Sequence, residues 1–340
     1  MNLRSSYPYA VSIIVVSFNT RDLLRECLQS ILAECARLPQ GMAAEVLVVD
    51  NASSDGSPEM VAREFSGSRV PVRLIHGHVN LGFGAASNLA LNKAQGQYPL
   101  LLNPDASLHP GALRLAIEHM NASSAAGVGG ARQVGPDGSW QPSARSFHSI
   151  WGAALVLTGL SARFPRSRIF GAPDRTWADP LKPAESDWVP GSFLILRREA
   201  LIKAGLFDPA FFLYFEEVDL CRRIRAAGFR VFYWPDIVVT HIGGESTRRL
   251  PSLKFSESDL QVVLWRMRST LLYYRKHHGS KARLALWLEL SLYKLRWLRN
   301  ARSSNPARRQ RAEEAKHLTR LMHQAWQETQ GGRISPPRPW

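Results

Sequence analysis

Cysteine is scarce: Cys27, Cys35 and Cys221 are the only three in 340 residues. An odd count with no metal-ligand spacing argues against a disulfide framework and for a reducing compartment. No run of about 18 uninterrupted apolar residues occurs, so no membrane-spanning helix is expected. The opening MNLRSSYPYA passes into a strand pattern without a charged-then-apolar leader, which predicts a cytoplasmic location. There is no G-x-G-x-x-G after the first strand and no G-x-x-x-x-G-K-[ST] anywhere, which removes the main support for dinucleotide and P-loop readings. Acidic residues are sparse at one end. Residues 248 to 340 hold 20 Lys/Arg against 6 Asp/Glu, a net +14, whereas residues 1 to 247 carry only +1. The excess charge therefore belongs to a C-terminal module, and an anionic partner, lipid or nucleic acid, should dock there. No nucleic-acid motif or interleaved stacking platform accompanies it, so an anionic membrane surface is expected and nucleic acid is not.

What the chain does contain is organised around YPLLLNPDA at Tyr98 to Ala106, a short apolar run ending abruptly in Asn103, Pro104 and Asp105. Such a run reads as a buried strand, and ligands of open α/β sheets collect beyond the carboxyl ends of the strands. Asn103 and Asp105 lie two apart on extended backbone, so both side-chain oxygens could face one Mg²⁺ or Mn²⁺; a simple Asn-Pro-Asp turn is the competing reading. VSIIVVS at Val11 to Ser17 and Glu45 to Val49 are β-branched strands joined by a helix over Arg21 to Arg37, a right-handed βαβ unit with Thr20 as its N-cap. Its two polar loops place Ser17, Asn19, Asp50 and Asn51 in one crevice, where an Asp could accept the imide N–H of uracil or thymine. Pro71 to His76 is a third strand, and the small residues of Asn80, Leu81, Gly82, Phe83 and Gly84 let backbone approach a ligand, with Asn88 on the helix that follows.

Val128 to Val134 with the turn Pro136, Asp137, Gly138 resembles an edge hairpin, and periodicity is absent from Ser139 to Asp187, a segment expected to cover the site. Further on, FFLYFEEVDLCRR places Glu216, Glu217 and Asp219 at a helix start directly behind an aromatic run, where an apolar wall raises a carboxylate toward the range of a general base. Phe229 to Trp234 and Ile237 to Thr240 are the final strands. His241 opens HIGGES, and a lone histidine there is either structural or a metal ligand.

These motifs in this order resemble glycosyltransferase family 2, enzymes of the GT-A fold, over about Val11 to Ser246: VSFN, VVDNASSDGS, NLGFGAASN, LLNPDA, VPGSFLILRR, FFLYFEEVDLCRR and H-x-G-G. The last four look most like the rhamnosyltransferase branch that builds bacterial surface polysaccharides. The resemblance implies an α/β, Rossmann-like, mostly parallel sheet and an inverting transfer without covalent intermediate. The sugar would be L-rhamnose from dTDP-L-rhamnose, passed to a saccharide or polyprenyl-diphosphate-linked acceptor. It assigns nucleotide contacts to Ser17, Asn19, Asp50, Asn51, Asn80, Gly82, Asn88 and Asn103, the Mg²⁺ or Mn²⁺ to Asp105 and His241, and the base to Glu217, with Glu216 and Asp219 as second candidates. Asn103 stands where the family's D-x-D motif has its first Asp, and Glu217 where its base is Asp. A UDP-sugar donor, or a non-catalytic nucleotide- or carbohydrate-binding module, are the alternatives.

The organisation expected is a catalytic domain over residues 1–250, an amphipathic basic helical extension over 251–305 and a polar, partly disordered tail over 306–340. In the extension, Asp259 to His278 and Lys281 to Arg302 read as helices. The second interleaves Leu284, Trp287, Leu288, Leu292, Leu295 and Leu298 with Arg283, Lys294, Arg296 and Arg299. That pattern suits either a peripheral position on the inner face of the plasma membrane or packing on the catalytic domain. Arg308 to Gln330 reads as a further helix and Gly331 to Trp340 as disordered.

Overall fold

The computed structural model describes residues 7 to 243 and 257 to 336. The second glycine of H-x-G-G, Gly244, falls outside these residues, as do positions 337 to 340 of the expected disordered end.

Ten strands form one sheet in the order β3-β2-β1-β4-β9-β6-β10-β5, with β7 beside β6 and β8 beside β10. The N-terminal half is the parallel part: β1 (Tyr9–Ser17), β2 (Ala44–Asp50), β3 (Val72–His76) and β4 (Gly96–Leu102) pair in parallel, connected by α1 (Arg21–Cys35), α2 (Ser57–Phe65) and α3 (Phe83–Leu91). Continuous apolar runs such as IIVV and VLVV are what this arrangement requires, because helices cover both faces. The register matches Ser17 to Asp50 and Asp50 to His76, so the carboxyl ends of the first three strands form one level edge. Leu24, Cys27, Leu28 and Ile31 of α1 are fully buried, the stripe that helical spacing predicts. Thr20 is the N-cap residue but makes no side-chain capping bond; its hydroxyl meets Ser17 Oγ at 3.0 Å.

Beyond β4 the sheet becomes mixed. After β5 (Ala106–Leu108) and α4 (Ala112–Ala122), β6 (Ala126–Val134) turns back to β7 (Trp140–Gln141). β6 is not an edge strand as expected. It lies between β9 (Phe193–Leu196) and β10 (Arg230–His241), which is why its glycines are needed: a Cβ on Gly129 would stand 1.9 Å from the Trp234 ring. The two final strands expected after Gly228 are a single strand, β10, whose register against β6 shifts between Trp234 and Val238 around Pro235. A proline cannot donate to the ladder, so the strand bulges there and continues.

The segment expected to be irregular contains α5 (Ile150–Leu157), α6 (Leu160–Arg163) and β8 (Ala184–Ser186). α5 reads IWGAALVL, and with no polar residue in it there was no periodicity to detect. α7 (Arg198–Ala204) and α8 (Glu216–Ala226) precede β10.

At the C-terminus α9 (Glu257–His278), α10 (Ala282–Asn300) and α11 (Pro306–Glu328) pack on one another through Leu264, Met267, Leu271, Tyr293, Met322 and Ala325. The expected disorder does not hold over residues 331 to 336. A Cβ on Gly332 would meet the Leu271 carbonyl oxygen at 2.2 Å, and Ser335 Oγ donates to the Ala210 carbonyl at 2.8 Å. The helices are also tied to the sheet domain: Ser269 Oγ donates to Leu213 O at 2.8 Å, and Tyr273 is buried in the same cluster as Phe215 and Val218.

Candidate active site

The loops after β1, β2 and β3 are locked together by their own side chains. Asn19, at φ +53°, donates its N–H to Ser53 Oγ at 3.0 Å and accepts Ser54 N–H at 2.8 Å, which joins the first two loops. Asp50, 3% exposed, accepts the Ser53 N–H on both oxygens at 3.4 and 3.2 Å, and a carboxylate retains acceptor capacity beyond that one donor. Asn51 donates to Asn80 Oδ1 at 2.8 Å and accepts the Leu81 N–H at 2.9 Å, while Asn80 accepts the Gly82 N–H at 2.9 Å. With those atoms occupied, Asn51 and Asn80 shape the crevice. Asn88, expected at the nucleotide, turns its amide to the Phe207 backbone in a reciprocal pair at 2.8 and 3.0 Å. Gly82 has no substitute, since at φ +77° a Cβ would lie 1.9 Å from the Phe212 carbonyl oxygen.

Asp105 and His241 converge because β5 pairs antiparallel with the end of β10, with His241 opposite Ala106. Their side chains are 9% and 16% exposed, and His241 Nε2 stands 3.4 Å from Asp105 Oδ1. Gln141 sets the imidazole: its Nε2 donates to the His241 carbonyl at 2.9 Å, which leaves Oε1 to accept from Nδ1 at 3.2 Å. A proton on Nδ1 satisfies that acceptor, and Nε2 is turned toward the Asp105 carboxylate. A carboxylate oxygen and an imidazole nitrogen that converge at 3.4 Å are donor types that suit a divalent cation. Among the described residues no group of three or more His, Cys, Asp or Glu could hold a metal. A Mg²⁺ or Mn²⁺ here would need further oxygens from a diphosphate or water, as Mg²⁺ at nucleotide sites usually does. Asn103 precedes Asp105 by two positions, with its N–H on Ser192 O at 3.2 Å.

The third part of the site is the start of α8. Tyr214 and Phe215 hold φ of +68° and +69°, a conformation that costs a non-glycine residue of order 1–3 kcal/mol and that aims the first turn of the helix. Glu216 is 4% exposed and packs beneath α3, where a Cβ on Gly84 would meet its own Cβ at 3.2 Å. Glu217 is only half-buried. Both carboxylates have an unpartnered Oε2. Burial, and then the neighbouring charge of Glu217, raise Glu216 well above the usual carboxylate range. Burial raises Glu217 too, opposed by backbone hydrogen bonding and the Arg145 charge. Asp219 is removed as a base. Burial alone would raise it, but hydrogen bonds from His277 and Lys276 and the charge of Arg223 hold it at about 2, and His277 and Arg223 occupy opposite carboxylate oxygens at 2.7 and 2.8 Å.

Sequence reading missed Gln141, Arg145 and His148. They lie on one short stretch that runs from His241 toward the start of α8: Arg145 stacks 5.3 Å over Trp188, and His148 lies 4.6 Å from the Phe215 ring. Burial, then the charges of Arg145 and Arg266, push His148 down to about 4, so it is a neutral wall of the cleft near neutral pH. No spacing rule marks these residues; the one available signal was the arginine count of that segment.

The sequence model of Glycosyl transferase family 2 matches residues 12–217. An N-acetylglucosaminyl-diphospho-decaprenol L-rhamnosyltransferase of Mycobacterium tuberculosis is 32% identical over 222 residues, 61% of this chain and 69% of the relative. Rhamnosyltransferase WbbL of Escherichia coli (strain K12) is 23% identical over 280 residues, 77% of this chain and 92% of the relative. Among solved structures, the mannosyltransferase PcManGT from Pyrobaculum calidifontis in complex with GDP-Man and Mn²⁺ superposes with a TM-score of 0.58 at 18% identity, covering 94% of this chain and 88% of that one. That last likeness bears on the fold. With a GT-A sheet, a crevice at its carboxyl edge and this match, the chain belongs to glycosyltransferase family 2 and is similar to its rhamnosyltransferases.

Proposed function

We propose that this glycosyltransferase moves L-rhamnose from dTDP-L-rhamnose, with inversion, to a saccharide linked through diphosphate to a polyprenyl lipid, at the inner surface of the plasma membrane, in surface-polysaccharide synthesis. The observation that carries the reading is the convergence of Asp105 and His241 at the sheet edge, together with Glu217 on α8, whose Oε2 has no partner and whose pKa burial raises. The relative from Mycobacterium tuberculosis supports the sugar and the acceptor class.

In this reading residues 1–250 do the chemistry. Asp50 accepts the imide N–H of the base, and the Asn51–Asn80 pair with Gly82 keeps the crevice open for the nucleotide. Asp105 and His241 hold a divalent cation, with Asn103 beside them on the nucleotide. When bound, the cation supplies positive charge to the leaving diphosphate. Glu217 takes the proton of the acceptor hydroxyl, and attack from the face opposite the leaving group inverts the anomeric carbon. The aromatic run before α8 and neutral His148 exclude water, which keeps Glu217 basic.

Nucleotide release from a panel of nucleotide sugars, with Mg²⁺, with Mn²⁺ and with chelator, tests this. Turnover of dTDP-L-rhamnose that requires both a divalent ion and a lipid-diphosphate saccharide is expected. Preference for a UDP-sugar would overturn the donor, and full turnover in chelator would overturn the cation site.

A further inference from the structure

α10 is apolar on two opposite sides, and the molecule covers one of them. At about 100° per residue, Ala282, Ala285, Leu286 and Tyr293 share the inner side. Ala282 and Ala285 are buried with Tyr274, and Tyr293 with Leu264, Met267 and Met322. On the outer side Leu284, Trp287, Leu295 and Leu298 fall within an arc of about 80° along roughly 21 Å of helix. They are 59%, 72%, 50% and 56% exposed. Scattered apolar residues on a surface need no explanation, but four large ones aligned on one side, broken by Ser291 alone, do. Arg283 and Lys294 border the line on one side and Arg299 on the other, all exposed.

We infer that this outer stripe of α10 is the surface that seats in an anionic lipid bilayer, with the helix lying in the interfacial plane. The inference rests on the membrane-surface reading above and names the face responsible. Leucine and tryptophan flanked by arginine and lysine match the two layers of such an interface: the apolar groups reach the acyl boundary, the indole sits at headgroup level and the cations meet lipid phosphates. A second copy of the chain is a poorer occupant, because residues 248 to 340 carry a net +14 and two such faces repel. Trp151 of α5, the helix that packs on α10 through Ile150, is a further 62% exposed. α5 begins just after His148, which touches Phe215 two residues before Glu217. Seating α10 in the bilayer therefore brings the end of the cleft that holds the base toward the lipid carrying the acceptor.

The test is co-flotation of the full-length protein with phosphatidylglycerol-containing and pure phosphatidylcholine vesicles. It is run on wild type, on the triple variant Leu284→Ser, Trp287→Ser, Leu298→Ser, and on Ile202→Ser, a 75% exposed control on α7. Wild type and the control should bind the anionic vesicles in a salt-sensitive manner. The triple variant should lose roughly 10²-fold in affinity while its melting temperature and its turnover of a short water-soluble acceptor stay unchanged. Wild-type binding that the triple variant retains would overturn the assignment of the face and leave the membrane reading standing. Failure of wild type to bind any vesicle would overturn both. A concentration-dependent dimer of wild type that the triple variant abolishes, seen by sedimentation, would overturn the lipid assignment in favour of a second copy.

Discussion

Two adjacent glutamates begin the same helix and meet different surroundings. Glu216 is sealed beneath α3, whereas Glu217 keeps part of its surface open with Arg145 near enough to oppose its rise. Glu217→Gln preserves shape but cannot accept a proton, so turnover should fall by roughly 10²- to 10⁴-fold with donor affinity unchanged in a direct binding titration. As the proposed base, Glu217 would work deprotonated, and burial raises its pKa from 4.5. The acid limb of kcat/KM against pH should therefore lie above the ordinary carboxylate range, and it should vanish in Glu217→Gln. Gln141→Leu removes the acceptor that keeps the His241 proton on Nδ1. Its expected result is a 10- to 100-fold weaker divalent-ion affinity by the usual worth of such outer partners, measured by titrating nucleotide release with Mn²⁺. Asp105, His241 and Glu217 were legible because each follows a strand or an aromatic run with an abrupt change of polarity. Gln141 was not, because an amide acts here only through a contact 100 positions away in the chain.

At the scale of elements, one buried carboxylate joins the catalytic helix to the C-terminal extension. Asp219 of α8 binds Arg223 on its own helix and Lys276 and His277 on α9, at 2.8, 2.8 and 2.7 Å. Asp219→Asn takes the carboxylate from Arg223 and His277, while Lys276 keeps Asp208 at 2.6 Å, and should destabilise the fold by about 3 kcal/mol, read by thermal or chemical unfolding. Because Asp219 is held at about 2, below its ordinary 3.8, its contribution is complete above pH 3.8 and is lost as pH falls toward 2. Glu216 has the opposite sign. Its raised pKa costs the folded state stability as pH rises above the ordinary 4.5, so Glu216→Gln should melt higher than wild type at neutral pH, and the two should converge once pH falls below about 4.5. The parallel half of the sheet could be read from its β-branched strands. Three features could not: β6 inside the sheet, α5 without a polar face, and β10 continuing through Pro235. Each is decided by neighbours distant in sequence, Trp234 against Gly129 being the clearest.

At the scale of the molecule, the basic extension is part of the folded body. α9 buries Leu271 and Tyr273 against both the sheet domain and the other two helices, and Arg268 on α9 pairs with Glu328 on α11. Deleting residues 281 to 340 would bare that apolar side of α9, so the truncated chain should aggregate or melt well below the full chain in a thermal scan. A soluble, fully active truncation would show that the helices add binding and no stability. The proposed transfer is a direct displacement at the anomeric carbon, with a nucleotide site at the carboxyl edge of the sheet and one base on α8. The measurement that bears on it most directly is the anomeric configuration of the transferred sugar, read by NMR on the product of a single round of transfer from dTDP-L-rhamnose. The predicted result is a glycoside of configuration opposite to the donor's, formed by wild type and not by Glu217→Gln; a product that retains the donor's configuration would contradict the account.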